Sequence, residues 1–309
     1  MQNLDNILSL EKLDFFARRL VEGFLTGKHK SPFHGFSVEF ADHRAYNSGE
    51  STKNVDWKLY ARTDKLFVKR FEEETNLRCR IILDVSSSMF YPFFDRGSSI
   101  DNPNKILYSV YSAASLMKLF KNQRDAVGLS LYSDDLHFHS SCKTTQKHHL
   151  VLQNKMIEII DKSNNLNFKK TSTVNSIHSI ASQLKKRSLV LLFTDMFDSD
   201  NNIDDIFLSL QHLKFQKHEV IIFHLYDSKT EYDLNFPNTP HKFIDIETNE
   251  KIKLNPMDLR KIYKEKSSNF KNHIKLKCLE HKIDLVNVDI NQGIEQILSA
   301  YLLKRKKMF

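Results

Sequence analysis

Two carboxylates and a row of hydroxyls stand out in this sequence. "RCRIILDVSSSMF" (78–90) runs through strand-forming residues to Asp84 and then places Ser86, Ser87 and Ser88 in succession. "SLVLLFTDM" (188–196) is nearly all apolar and ends in Thr194 and Asp195. Between them, "NFKKTSTVNS" offers Thr171, Ser172 and Thr173 ahead of a helical pattern. Asp84, Ser86 and Ser88 alternate, so in a loop leaving a strand they can converge on one point. An oxygen-only set of this kind suits a hard divalent cation, Mg2+ first and then Mn2+ or Ca2+. Neutral hydroxyls leave such an ion with residual positive charge, ready for a carboxylate from outside.

Other chemistries fit these residues less well. A serine nucleophile needs a positioned base, and none of the three segments contains a histidine. The G-x-S-x-G elbow is missing. A phosphotransfer aspartate at a strand end wants a second acid two positions on, where this chain has Ser86. Neither a P-loop nor a dinucleotide fingerprint occurs. His137, His139 and Cys142 in "HFHSSC" lack a fourth partner at zinc spacing and read as a strand face. Asp and Ser also cap helices that follow strands; the matching groups at Thr171 and Asp195 are what carry the metal reading beyond that. A Mg2+-dependent hydrolase or phosphotransferase on the same rim residues is the alternative.

The elements around these segments decide where they meet. From Cys79 onward strand and helix patterns alternate: strands at "RCRIILDVS", "AVGLSLYS", "LHFHSS", "SLVLLFTDM", "EVIIFHLYD" and "DLVNVDI", and helices at 104–123, 147–162, 173–186, 203–215, from Pro256 and from 293. Nearly continuous apolar strands separated by helices predict an α/β fold, a doubly wound and mostly parallel sheet buried on both faces. Ligands of such folds sit beyond the carboxyl ends of the strands, which is where Asp84 and Asp195 fall. A polar excursion carrying Pro237 and Pro240 covers 228–255. Upstream, Leu4 to Phe24 recur at helical spacing, and 36–77 turns to short strand-like pieces, so an N-terminal helix and a small β-rich extension precede the sheet. The expected division is 1–77 and 78–309.

Composition sets the class. At 309 residues with 40% hydrophobic content and only 7 Gly and 6 Pro, the chain has material for a core and no low-complexity linker. Its three cysteines include no C-x-x-C, which suits a reducing compartment. Asp5, Glu11 and Asp14 stand where a signal peptide would be basic and then apolar, and "LVLLF" and "VIIF" are too short to span a bilayer. The expectation is a cytoplasmic protein without a membrane span. The net charge of +8 is spread out, with its largest concentration in Arg260–Lys282 and in "LLKRKKMF"; both are helical patterns that lack interleaved exposed aromatics or a known reader motif, so nucleic acid is not the expected partner.

Asp84-x-Ser86-x-Ser88, a later loop threonine and Asp195 resemble the metal-ion-dependent adhesion site (MIDAS) of von Willebrand factor A (vWA) domains. The preceding segment, "GFSVEFADHRAYNSGESTKNVDWKLYARTDKLFVKRFEEE" (35–74), looks like the signature of the DUF58 family, whose members carry an A-type domain. The resemblance implies that Ser86 and Ser88 bind the ion directly, that Thr171 joins them in some states (with Thr173 a rival), and that Asp84 and Asp195 act through water. It also implies a non-enzymatic, protein-binding adaptor that takes an acidic residue of its partner. Family members tend to accompany MoxR-type AAA+ ATPases in chaperone-like or assembly roles. Within the signature, Arg44, Asp56, Trp57 and Arg62 are candidates for a partner surface. The favoured reading is structural instead, with Asp42, Arg44, Asp56 and Arg62 ion-paired and Trp57 anchoring a core.

Overall fold

The computed structural model of the protein describes residues 2–26, 40–46, 55–71, 77–93, 99–162, 173–185, 187–198, 203–245 and 250–308. In chain order its elements are α1 (Gln2–Thr26), β1 (Phe40–Ala45), α2 (Trp57–Thr63), β2 (Phe67–Phe71), β3 (Arg78–Asp84), α3 (Lys105–Asn122), β4 (Ala126–Tyr132), β5 (Leu136–His139), α4 (Gln146–Lys162), α5 (Thr173–Gln183), β6 (Leu189–Thr194), α6 (Ile203–Phe215), β7 (Glu219–Tyr226), β8 (His241–Ile244), β9 (Lys251–Leu254), α7 (Pro256–Glu280), β10 (Asp284–Asp289) and α8 (Glu295–Met308). They group into two compact units, Leu25–Asn76 and Met1–Phe24 with Leu77–Phe309. The N-terminal helix therefore gathers with the large unit, apart from the signature segment with which the sequence grouped it. Its apolar stripe explains this: Leu13, Ala17 and Val21 are buried, Phe16 packs edge-on against Tyr111 of α3, and Asp14 pairs with Lys118.

The large unit holds a six-stranded sheet in the order β10-β7-β6-β3-β4-β5. Five strands run parallel, and β5 closes the edge antiparallel to β4. β3 and β6 are buried almost throughout, as strands covered by helices on both faces must be. The chain steps from β3 to β4 on one side and later to β6 on the other, so the order reverses between β3 and β6. In doubly wound sheets that reversal opens the crevice where ligands bind.

α3 is buried nearly all round and carries Ser109, Ser112 and Ser115 on one stripe. Each hydroxyl donates to the carbonyl four residues back, at 2.7–2.8 Å, which satisfies a polar group inside the core. Within the excursion, β8 and β9 pair as a separate two-stranded sheet, preceded by a π turn at Ser228–Tyr232; the prolines and alternating charges of this stretch had masked the hairpin. Among the described residues, no helix is long and apolar enough to cross a membrane.

Arg80 on β3 lies flat over Gly128 of the neighbouring strand. It is 2% exposed, donates to the Leu129 carbonyl at 3.1 Å, and its guanidinium stands 2.8 Å from where a Cβ on Gly128 would be. Gly128→Ala is therefore expected to push this buried cation off its acceptor and cost about 1–3 kcal/mol, measured as a lower urea midpoint at unchanged slope.

In the smaller unit, β1 and β2 pair antiparallel, and a short helix not foreseen from the sequence, α2, sits between them. Asp56 caps it, accepting from the Lys58 and Leu59 N–H groups at 3.0 and 3.1 Å. Trp57 is 59% exposed and packs edge-on against exposed Tyr60, which corrects its expected role as a core anchor. At the first position of a seven-residue helix, its indole meets Tyr60 one turn on. Arg62 is exposed in the last turn, and the Asp42 and Arg44 side chains lie outside the described residues.

Candidate metal centre at the sheet rim

Asp84 is the last residue of β3 and is fully buried. Three elements fix its carboxylate: Oδ1 accepts from the Ser86 N–H at 3.0 Å, while Oδ2 accepts from the Thr194 hydroxyl of β6 at 2.9 Å and the Tyr132 hydroxyl of β4 at 3.3 Å. Burial, and then the neighbouring Asp195 carboxylate, raise its pKa to about 7. The chain next enters a one-turn 3-10 helix, Ser87–Phe90, with Ser86 at its N-cap. The Ser86 and Ser88 hydroxyls come to 3.1 Å of each other, Ser86 buried and Ser88 half-buried.

Asp195 follows β6, buried at 1% exposure. Directly after it, Met196 adopts a left-handed backbone with φ 58°, uncommon for a residue with a side chain and typical of functional loops. The bend turns two N–H groups back: Met196 donates to the Thr194 hydroxyl at 3.0 Å and Phe197 to Asp195 Oδ1 at 3.1 Å. The other Asp195 oxygen is held by a residue that sequence reasoning missed. Lys105, 1% exposed, donates from Nζ to Asp195 Oδ2 at 2.8 Å and to Glu231 Oε1 at 2.5 Å. Glu231 belongs to the π turn after β7, and its second oxygen accepts from the Asp227 N–H at 2.7 Å.

Burial opposes the charge on Lys105, but Asp195 and Glu231 outweigh it and hold the ammonium's pKa above its ordinary value. Burial raises that of Glu231, against the pull of Lys105. One signal for Lys105 was available. It follows the helix cap Asn104, at the end of the macrodipole where a cation is unfavourable, so something other than helix formation holds it there. Glu231 had no comparable signal.

Of the expected ligands, Asp84, Ser86, Ser88 and Asp195 meet at the β3–β6 reversal. Thr171 and Ser172 lie outside the described residues. Thr173 opens α5, buried, with its N–H donating to Asp198 Oδ2 at 3.0 Å, and its side chain reaches the Tyr132 hydroxyl that also serves Asp84. His137, His139 and Cys142 turn to different partners: Ser133, Ser130 and Arg80.

The model of the family described as "Protein of unknown function DUF58" matches residues 42–273, most of the chain. The chain belongs to the DUF58 family. No curated protein matches it. Among solved structures, this DUF58 protein is similar to the conserved hypothetical protein BatB from Bacteroides thetaiotaomicron, at 12% identity over 75% of this chain and 99% of that one, TM-score 0.44. It is also similar to an aerotolerance-related membrane protein from Bacteroides fragilis, at 13% identity over 72% and 97% of the two chains, TM-score 0.45.

Does the donor set of this DUF58 protein suit a hard divalent cation? Among the described residues, no group of three His, Cys, Asp or Glu side chains is arranged to hold a metal, so any ion must rely on hydroxyls. The paired Ser86 and Ser88 oxygens, next to Asp84, supply them. Charge argues the same way. Once Asp84 ionises, above the pKa of about 7 that burial and the Asp195 carboxylate give it, the rim gains a negative charge beyond those that Lys105 meets at Asp195 and Glu231. Burying unbalanced charge is costly, and one divalent ion would neutralise it. The residues fit.

Proposed function

We propose that this DUF58 protein is a non-enzymatic, vWA-type binding module whose rim holds Mg2+ and through it grasps an acidic residue of a protein partner. Asp84, Ser86, Ser88 and Asp195 would hold the ion, with Thr171 or Thr173 from the loop before α5. The observation that carries this reading is the pair of adjacent hydroxyls, Ser86 and Ser88, beside the buried Asp84 carboxylate. Bound there, the ion supplies an electrophilic position for a carboxylate oxygen.

The chain's own residues do the rest. Thr194 and Tyr132 aim Asp84, the Met196 bend aims Asp195, and Lys105 holds the other Asp195 oxygen. An adaptor role with a MoxR-type AAA+ ATPase follows from the family resemblance of the signature segment. Hydrolysis or phosphotransfer is the weaker reading. Asp84 is sealed and held by three donors, and Ser86 stands where a second acid would be needed.

Asp84→Ala is expected to abolish Mg2+-dependent capture of the partner ATPase, read by pull-down with and without chelator, while circular dichroism stays unchanged. Capture that survives both the substitution and the chelator would refute the reading.

A further inference from the structure

The β8–β9 hairpin sets like charges against each other. Its register places Lys242 opposite Lys253 and Ile244 opposite Lys251, with Phe243 opposite Ile252 between them. Residues two apart on a strand share a face, so Lys242, Ile244, Lys251 and Lys253 lie together on one side of the hairpin. On the other side, His241 and Phe243 pack against Phe236, with ring centroids 5.7 and 5.3 Å from it. The three lysines are exposed, and none of them meets a carboxylate among the described residues. The neighbouring cations of α7 are satisfied within the chain: Lys264 pairs with Asp233 at 2.7 Å, and Arg260 donates to the Asp233 carbonyl at 2.7 Å.

Like charges directly opposite on an antiparallel pair are destabilising, and a two-stranded sheet of four-residue strands is marginal to begin with. Lysines on free edges do keep sheets from pairing with one another. That role asks for charge alone, whereas here aliphatic side chains stand exposed among the lysines, Ile244 at 49% and Ile252 at 59%. The chain then turns through Asn255 into α7, whose first two turns add exposed Met257 and Ile262. Cations and aliphatic groups left in water together fit a surface that brings carboxylates and aliphatic groups in return.

The hairpin stands on the metal side of the sheet. It leaves the carboxyl end of β7, the neighbour of β6, by way of the π turn whose Glu231 holds Lys105 and through it Asp195.

We propose that the lysine face of this hairpin is a second docking surface, which takes an acidic segment of the protein partner, with aliphatic residues among its carboxylates, without Mg2+. The proposal deepens the proposed function and rests on it for the partner being a protein. A contact of this kind raises the local concentration of the acidic residue that the ion takes. Nucleic acid fits less well: phosphates would meet the lysines, but the aliphatic side chains would stay in water, and the hairpin offers no exposed aromatic ring on which a base could stack. A membrane surface also fits less well, since neither strand carries the Trp or Tyr that anchors proteins at that interface.

The test uses the full chain in EDTA and a short fluorescein-labelled peptide that repeats Glu-Glu-Leu, read by fluorescence anisotropy. Saturable binding is expected, weakened by added salt and weaker for a Glu-Glu-Ser repeat. The variant carrying both Lys242→Glu and Lys253→Glu keeps a like-charged pair across the strands, so its urea midpoint should stay near that of the parent. Its affinity for the acidic peptide should fall about tenfold, as expected when two exposed charge contacts reverse sign, and it should gain affinity for a Lys-Lys-Leu repeat. Lack of saturation, equal affinity for the Glu-Glu-Ser repeat, or affinities that the variant leaves unchanged would overturn the surface. So would tighter binding of the parent to single-stranded DNA or to phosphatidylserine vesicles than to the peptide. Mg2+ titration of the variant should match the parent. Because the peptide is read without Mg2+, failure of the hairpin and failure of the metal centre are separate results.

Discussion

Lys105→Met is expected to destabilise the protein by about 3–5 kcal/mol, the usual cost of removing one partner from a buried ion pair. Asp195 would keep its charge at 1% exposure, and Glu231 would lose its short contact at 2.5 Å. For a unit of this size the melting temperature should fall on the order of 10 °C, measured by thermal circular dichroism. The triple variant Lys105→Met, Asp195→Asn, Glu231→Gln removes all three charges together and should recover most of the loss, because replacing a whole buried ionic group is often close to neutral. A single variant as stable as the parent would mean that the ammonium is not holding the rim.

The second large effect is a pH dependence set by Asp84. Its pKa rises from an ordinary 3.8 to about 7 on folding, through burial and the Asp195 charge. The folded state binds this proton more tightly than the unfolded one. The stabilising contribution is therefore complete below about pH 4 and is lost as pH climbs to about 7, beyond which it stays lost. The interval corresponds to ~4 kcal/mol. Other carboxylates act in the opposite sense; desolvation opposes the ionised form of Glu219, but Lys304 and Lys214 hold its pKa down. The informative quantity is thus the difference between the parent and Asp84→Asn. That difference, from urea unfolding at pH 4 to 8, should change by several kcal/mol, and a flat profile would contradict the account. Added Mg2+ should stabilise the parent most at pH 8, where Asp84 is ionised and the excess negative charge is greatest.

Much of this site was readable from the sequence, because it lies where the fold leaves little choice. A seven-residue strand centred on Ile81, Ile82 and Leu83 and ending in Asp84, and a six-residue apolar one ending in Thr194, read as parallel core strands, and their carboxyl ends share a rim. The alternation of Asp84, Ser86 and Ser88 is likewise local. Lys105 and Glu231 were not readable as partners. They lie 90 residues from Asp195 and 126 residues from Lys105 respectively, and such pairings are made by tertiary packing alone. α2 was missed because seven residues are too few for a helical period to declare itself, and Trp57 because a lone tryptophan carries no information about which side of a short helix is covered.

The central claim, a hard-cation centre at the β3–β6 reversal, is most directly tested by calorimetric titration of Mg2+ and Mn2+ into chelator-treated protein at pH 8. The parent should be run beside Asp84→Ala and Ser86→Ala. Saturable binding of one ion per chain, lost in the first variant and weakened in the second, is the predicted result. Absence of binding in the parent, or equal binding in Asp84→Ala, would contradict it.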